Sequence, residues 1–441
     1  MNSLQYKLTA ACIMTMTFLL GPTACATSQQ VTGESTSELP RGIRWIRSHP
    51  VTIYAMCVID TPLDTDQYQQ AGLGPVMIWK TKKNIVEPVV KAGLPWHTHI
   101  RVGRQGRPRL NEELKEKWRQ FFAQNPGAQG ILVNDEVKGE EPLRIAREGM
   151  DWLRDEYPHL LVYSNANDLA PGAREKQFLS NWEKGLKPDV LMVTLYPFLK
   201  TGQTVEAYFF NLEFIRQVGL EAGIPYWSWV QSFSGRVGFP DRLPSESDLR
   251  MQLFASLTYG FTGFGFHIYE VGDHPIIRHA LISKGKPSRL YPHAEKANAE
   301  VSRLGQSLRF LRSTSVQYLP APGATLPTGV TAWAAENTSQ KIQQVGGITS
   351  SDGLLGQFTA DHGGEYFMLT NLAQGPEMTA KEGEVTFHVK IAAGAAALYR
   401  LNRYTGKSEK VMNAGGRELA VTLPGGTGDL FKWGDAAFAG L

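Results

Sequence analysis

Runs of consecutive apolar residues recur along the first two thirds of the chain, each followed by a stretch with helical spacing. The runs are VTIYAMCVID from Val51, VMIWK from Val76, LPWHTHIRV from Leu94 and GILVNDEV from Gly130. They continue as LLVYSNAN from Leu160, DVLMVTLYPF from Asp189, IPYWSWVQSF from Ile224 and GFTGFGFHIYE from Gly260. Short, β-branched and apolar on both faces, they read as strands of a buried parallel sheet. Between them the apolar positions fall on one helical face. Leu114, Trp118, Phe121 and Phe122 mark a helix over Asn111 to Gln124, and Ile145, Met150, Trp152 and Leu153 one over Glu141 to Tyr157. Helices are also expected over Thr65 to Ala71, Asn84 to Ala92, through Phe178 and Trp182, over Thr204 to Ala222, and over Pro292 to Leu311. Ser245-Glu246-Ser247-Asp248 is a capping box that opens a further helix over Asp248 to Tyr259.

Eight strands alternating with eight helices, in roughly the 250 residues typical of the fold, predict an α/β (β/α)8 TIM barrel over residues 46–312. A doubly wound open sheet is the rival. It wants a glycine-rich phosphate turn after the first strand, which CVIDTPLD lacks. After Arg312 the helical period disappears. GEYFMLTNL, GEVTFHVKI, AAALYRLNRYTGK, RELAVTLPGG and GDLFKW are short β-like runs between turns, so residues 313–441 are expected to form a small C-terminal antiparallel β-sandwich that packs on the barrel.

The N-terminus carries an address. Lys7 precedes the apolar run Leu8 to Leu20, which is too short for a membrane span, and Ala24-Cys25-Ala26 suits cleavage. Residues 1–26 read as a signal peptide and 27–45 as a flexible, Ser/Thr-rich tether. The protein is thus expected to be exported, periplasmic or extracellular, with Cys25 as an alternative lipoprotein acceptor that would anchor it to the membrane. A net charge of +3 over 441 residues gives no argument for a nucleic-acid partner. Nothing in the composition decides the oligomeric state. The cysteines are Cys12, Cys25 and Cys57, with no C-x-x-C and no metal-ligand cluster, so neither cofactor nor metal is implied.

In a barrel, chemistry belongs to the carboxyl ends of the strands. The fourth run ends abruptly in Asn134, Asp135 and Glu136. Such a strand can simply run out into solvent, but adjacent carboxylates are costly to bury unless paired or used. The other strand ends supply Asp60, Trp79, His97, His99, Asn165, Asn167, Tyr196, Trp227, Trp229, Gln231, His267, Tyr269 and Glu270. Indoles and phenols stack on sugar faces, while amides and imidazoles bind hydroxyls. The expected partner is therefore a carbohydrate substrate, bound by Trp79, His97, His99, Asn134, Asn165, Asn167, Tyr196, Trp227, Trp229, Gln231 and Tyr269. Glycoside hydrolysis needs two carboxyl groups across the scissile bond. Glu136 is the expected acid, Asp135 the neighbour that raises its pKa, and Glu270 the second carboxylate, with Asp60 and Asp273 as substitutes. His97 and His99 share a strand face and form the nucleus of a weaker reading, a metal-dependent hydrolase.

From Val51 to Trp433 the chain resembles bacterial glycoside hydrolases of the clan A type and related β-galactosidase-like barrels. The likeness lies in the Asp135-Glu136 end of strand four, in IPYWSWVQSF followed by Asp248-Leu249-Arg250-Met251-Gln252, in LTYGFTGFGFHIY, and in TLPGGTGDLFKW. It implies an acid/base glutamate at Glu136. The clan's nucleophilic glutamate ends strand seven, where this chain has Gln231. The resemblance therefore implies either a hydrolase with a displaced second carboxylate, or a non-catalytic glycan-binding surface protein on a degenerate barrel.

Overall fold

The computed structural model describes residues 39–441 except 60, 105, 168–172, 203, 236, 273, 275, 338–340 and 347–350. The signal segment, Cys25, Asp60 and Asp273 lie outside the described residues.

Eight parallel strands close into a barrel: β1 (Thr52–Cys57), β2 (Val76–Ile78), β3 (Trp96–Ile100), β4 (Ala128–Asp135), β5 (Leu161–Ala166), β6 (Leu191–Leu195), β7 (Tyr226–Gln231) and β8 (Gly263–His267). Alternation across the pleat divides each strand between two cores. In β3, Trp96 points outward and stacks on Phe122 at 5.7 Å, while His97 points inward. The inward core is crowded with rings, and glycine makes room for them. A Cβ on Gly130 would stand 2.5 Å from the His97 ring, one on Gly263 2.5 Å from Trp227, and one on Gly265 2.6 Å from both Trp229 and Tyr54. The glycine-rich last strand is thus the complement of the tryptophan-rich seventh.

Helices α1 (Arg41–Ser48), α2 (Thr65–Gln70), α3 (Lys83–Lys91), α4 (Glu112–Gln124), α5 (Glu140–Glu156), α6 (Ala173–Leu186), α7 (Tyr208–Ala222), α8 (Glu246–Tyr259) and α9 (Tyr291–Leu308) complete this part of the chain. Asn111 caps α4 by accepting from Leu114 N at 2.8 Å. In the capping box of α8, Asp248 N donates to Ser245 Oγ at 3.2 Å and Ser245 N donates to Asp248 Oδ2 at 2.7 Å. The helix α1 corrects the expected tether, since it begins at Arg41. Arg41 pairs with Asp189 at 2.7 Å, and Trp45 packs within 6.0 Å of His97 and Trp227. Burial of that indole orders a stretch that reads as linker by composition.

Beyond α9 a six-stranded antiparallel sheet runs in the order Leu311–Leu319, Gly353–Ala360, Glu365–Asn371, Gly428–Trp433, Leu398–Leu401, Ser408–Met412. A three-stranded sheet of Ile342–Gly346, Val385–Ile391 and Glu418–Leu423 lies over it, and the two share a core that includes Phe367, Leu369, Phe387 and Trp433. Leu311, expected in the last helix, instead opens the first strand, and that strand and those at 342–346, 353–360 and 408–412 lie outside the expected β runs. The other face of the large sheet packs on α8, so every residue from Ser247 to Tyr259 is buried. Contact is close: a Cβ on Gly356 would fall 2.3 Å from the Thr258 carbonyl oxygen. Arg250 donates to both oxygens of Glu300 at 2.9 and 2.8 Å, and Arg403 meets Glu300 at 3.2 Å and also pairs with Asp429. This buried network ties helix to helix and both to the sandwich.

Candidate active site

A cavity of about 1220 Å³ opens at the carboxyl ends of the strands. The chain reaches it at β4 through an unusual turn. Asn134 and Glu136 have φ of 49° and 53°, left-handed values that cost roughly 1–3 kcal/mol each outside glycine. Asn134 holds this turn in place. Its Nδ2 donates to Val102 O and its Oδ1 accepts from Val102 N, both at 2.9 Å, while Glu136 N donates to Asn165 O at 2.9 Å. Asp135 and Glu136 then both line the cavity.

Asn165 Nδ2 donates to Asp135 Oδ1 at 2.9 Å and to Thr194 Oγ1 at 3.0 Å. Burial nonetheless pushes the Asp135 carboxyl up to about 6, with the Glu136 charge adding to the rise and the Asn165 bond and Arg104 and Arg101 opposing it. The neighbouring Glu136 charge thus contributes to the raised pKa of Asp135. With its amide turned to satisfy both ends, Asn167 donates to Glu136 Oε2 at 3.0 Å and accepts from Lys138 Nζ at 3.2 Å.

Beyond the end of β8, Glu270 lines the same cavity, is raised by burial and accepts from Gly285 N at 2.8 Å. Trp79, Tyr196, Trp229 and Tyr269 also line the cavity. Trp79 meets Trp229 edge-on at 6.3 Å, and Tyr196 stacks on His267 at 5.3 Å. Burial drives His267 down to about 4, so this wall is a neutral imidazole beside a phenol at pH 7.

Several expected substrate ligands are spent elsewhere. Asn134 is consumed by Val102. Gln231 is fully buried, with Oε1 accepting from Phe198 N at 2.8 Å and Nε2 donating to Phe198 O at 3.1 Å and Arg242 O at 2.9 Å. Gln252 grips the Gln231 backbone in turn, accepting from its N at 2.7 Å and donating to its O at 3.1 Å. Trp227 lies in the barrel core and donates to Thr262 Oγ1 at 3.1 Å. His97 is enclosed beside Tyr163, its Nδ1 3.0 Å from the phenol oxygen, and His99 lies buried against Trp79, ring centroids 4.0 Å apart and tilted by 30°. Burial pushes both imidazoles down to about 3. Among the described residues, no third histidine, cysteine or carboxylate joins them in ligand geometry. Alternation across the pleat puts His97 and Trp227 on the inner face. It cannot say how far down the barrel each one sits.

The structure also adds residues that strand-end reading missed. Asp241, ten positions beyond Gln231, lines the cavity with Phe233, Thr194, Lys80, Lys82 and Gln67. Its backbone is fixed by Gly235 N donating to Asp241 O at 2.9 Å, and burial raises its carboxyl. No periodic signal marks which residue of an irregular loop folds back.

No family model matches the sequence, and no curated protein does. Among solved structures, the chain is similar to a protein from Bacteroides fragilis assigned as an α-galactosidase, with TM-score 0.49, 10% identity, and 88% of this chain and 80% of that one covered. It is similar to the β-galactosidase of Bacillus circulans sp. alkalophilus, with TM-score 0.47, 9% identity, and coverage of 87% and 99%. For α-galactosidase I of Mortierella vinacea the values are 0.45, 9%, 90% and 92%. Likeness at this level is one of outline, and identifies neither activity nor substrate.

Proposed function

We propose that the protein is an exported glycoside hydrolase that cleaves O-glycosidic bonds of a poly- or oligosaccharide by carboxylate acid/base chemistry. The observation that carries this reading is Asp135, a carboxyl held near 6 beside Glu136, in a cleft walled by Trp79, Trp229 and Tyr196. Asp135 and Glu136 adjoin on the wall of the cleft, and together they supply the proton to the leaving oxygen. Glu270 is the preferred second carboxylate, because it lines the same cleft and the Gly285 N–H bond partly offsets the rise that burial imposes. Asp241 is its competitor from the strand-seven loop.

The test is reducing-sugar release from a polysaccharide panel by wild type, Glu136→Gln, Asp135→Asn, Glu270→Gln and Asp241→Asn. Loss of release in the first two variants and in one of the last two supports the reading. Full activity in Glu136→Gln refutes the acid assignment.

A second reading, a glycan-binding protein without turnover, is favoured by Gln231, which stands in place of the clan's strand-seven glutamate and has its amide wholly spent on the backbone. Saturable oligosaccharide binding with no product would select it. Export and lipidation rest on residues 1–26, and mass spectrometry of the mature N-terminus distinguishes cleavage after Ala26 from diacylated Cys25. Among the described residues, no helix is long and apolar enough to cross a membrane.

A further inference from the structure

A second cavity, of about 670 Å³, lies behind one wall of the cleft. That wall is a short antiparallel ladder between Ser234–Gly235 and Ile277–His279. Neighbouring residues face opposite ways across it. Phe233, Ile277 and Asp241 line the cleft, whereas Ser234, Arg278 and Arg242 line the groove. The ladder thus has the cleft on one side and the groove on the other.

Lys200, Arg242, Arg278 and Arg289 line the groove against one carboxylate, Glu377. Arg278 is exposed, and no ion pair to it occurs among the described residues. Arg289 meets Glu377, but that pair is about half exposed or more on both sides and holds weakly. Two buried polar atoms of lining residues lack a partner, Ser283 Oγ and Arg242 Nε, while the other two nitrogens of Arg242 donate to Asp248. The guanidinium nitrogen can only donate and the hydroxyl can donate as well as accept, so an acceptor oxygen satisfies both. The His279 ring, 2.7 Å from Ser234 Oγ, is held down by burial and by the nearby Arg278 and Arg289 charges, which leaves it neutral beside them.

We infer that this groove binds an anionic substituent, a uronate carboxylate or a sulfate ester, on the glycan chain that occupies the cleft, with Arg278, Arg242 Nε and Ser283 Oγ as its donors. The inference rests on the carbohydrate reading above and narrows the substrate to an acidic polysaccharide. Arg278 would supply the charge, and the two buried donors the geometry.

Calorimetric titration of the full chain with oligogalacturonates, with sulfated galacto-oligosaccharides and with neutral xylo-oligosaccharides of equal length tests it. One acidic class should bind more tightly than the neutral chains, and whichever does identifies the substituent. Its Kd should rise about tenfold in Arg278→Gln and several-fold in Ser283→Ala, with neutral binding unchanged. Equal affinity for acidic and neutral chains, or an Arg278→Gln variant that binds the acidic chain as tightly as wild type, would overturn the inference alone. Charge-dependent binding without sugar release would support it, and would remove only the hydrolase reading.

Discussion

Replacing Asp135 by Asn should make the protein more stable at neutral pH while it removes the proposed chemistry. The Asp135 carboxyl is raised from 3.8 to about 6 in the folded state, chiefly by burial. Below pH 3.8 it is protonated in both folded and unfolded chains and its burial carries no ionisation penalty. As pH rises from about 4 to 6, the unfolded chain ionises first and stability is lost. Above about 6 the loss is complete, and a difference of about two pK units corresponds to about 3 kcal/mol. Asparagine never ionises, and its Oδ1 can still accept from Asn165, so the variant escapes the loss. Its gain over wild type should approach about 3 kcal/mol at pH 7.5 and shrink to about half a kcal/mol at pH 4. Thermal and urea unfolding at both pH values, read by fluorescence and circular dichroism together, measures it. Equal stability of the two proteins at pH 7.5, or a gain that does not change with pH, would refute the argument that burial holds a strained acid there.

If the proton on Asp135 is the one delivered, kcat/KM for a glycoside should decline as pH rises through about 6, and the decline should be absent from the residual rate of Asp135→Asn. Gly265→Ala places a methyl 2.6 Å from Trp229 and Tyr54 and should cost about 1–3 kcal/mol in thermal unfolding, whereas Gly74→Ala, whose nearest atom is 3.8 Å away, should cost less than 1 kcal/mol. Glu300→Gln leaves Arg250 facing a neutral amide in a buried network, and should destabilise by roughly 3–5 kcal/mol in urea. Trp79→Ala should weaken oligosaccharide binding at least tenfold if that indole is a sugar platform, and isothermal titration reads the change directly.

Strand and helix order was legible from the chain itself, because the periods 2 and 3.6 and the capping signals at Asn111 and Ser245 are local chemistry. The same locality put Asp135 and Glu136 at a strand end, and placed Trp79, Tyr196, Trp229 and Glu270 on the cavity side. Depth within the barrel was not legible. Trp227 and Trp229 are two residues apart on one face, yet only the second lines the cleft, since depth depends on the tilt and stagger of eight strands together. Nor does composition reveal that Gln231 is tied to Phe198 and Arg242, or that α1 is helical from Arg41. Those outcomes are set by partners far along the chain.

The sequence by itself therefore determined the architecture, the turn at which two carboxylates meet, and the aromatic character of the mouth. Only the tertiary structure decided which carboxyl is displaced in acidity, that Asp241 returns to the cleft, and that a basic groove backs one wall. Acidity, exposure and convergence are properties of an environment, and here that environment is assembled from strands and loops separated by tens to hundreds of residues.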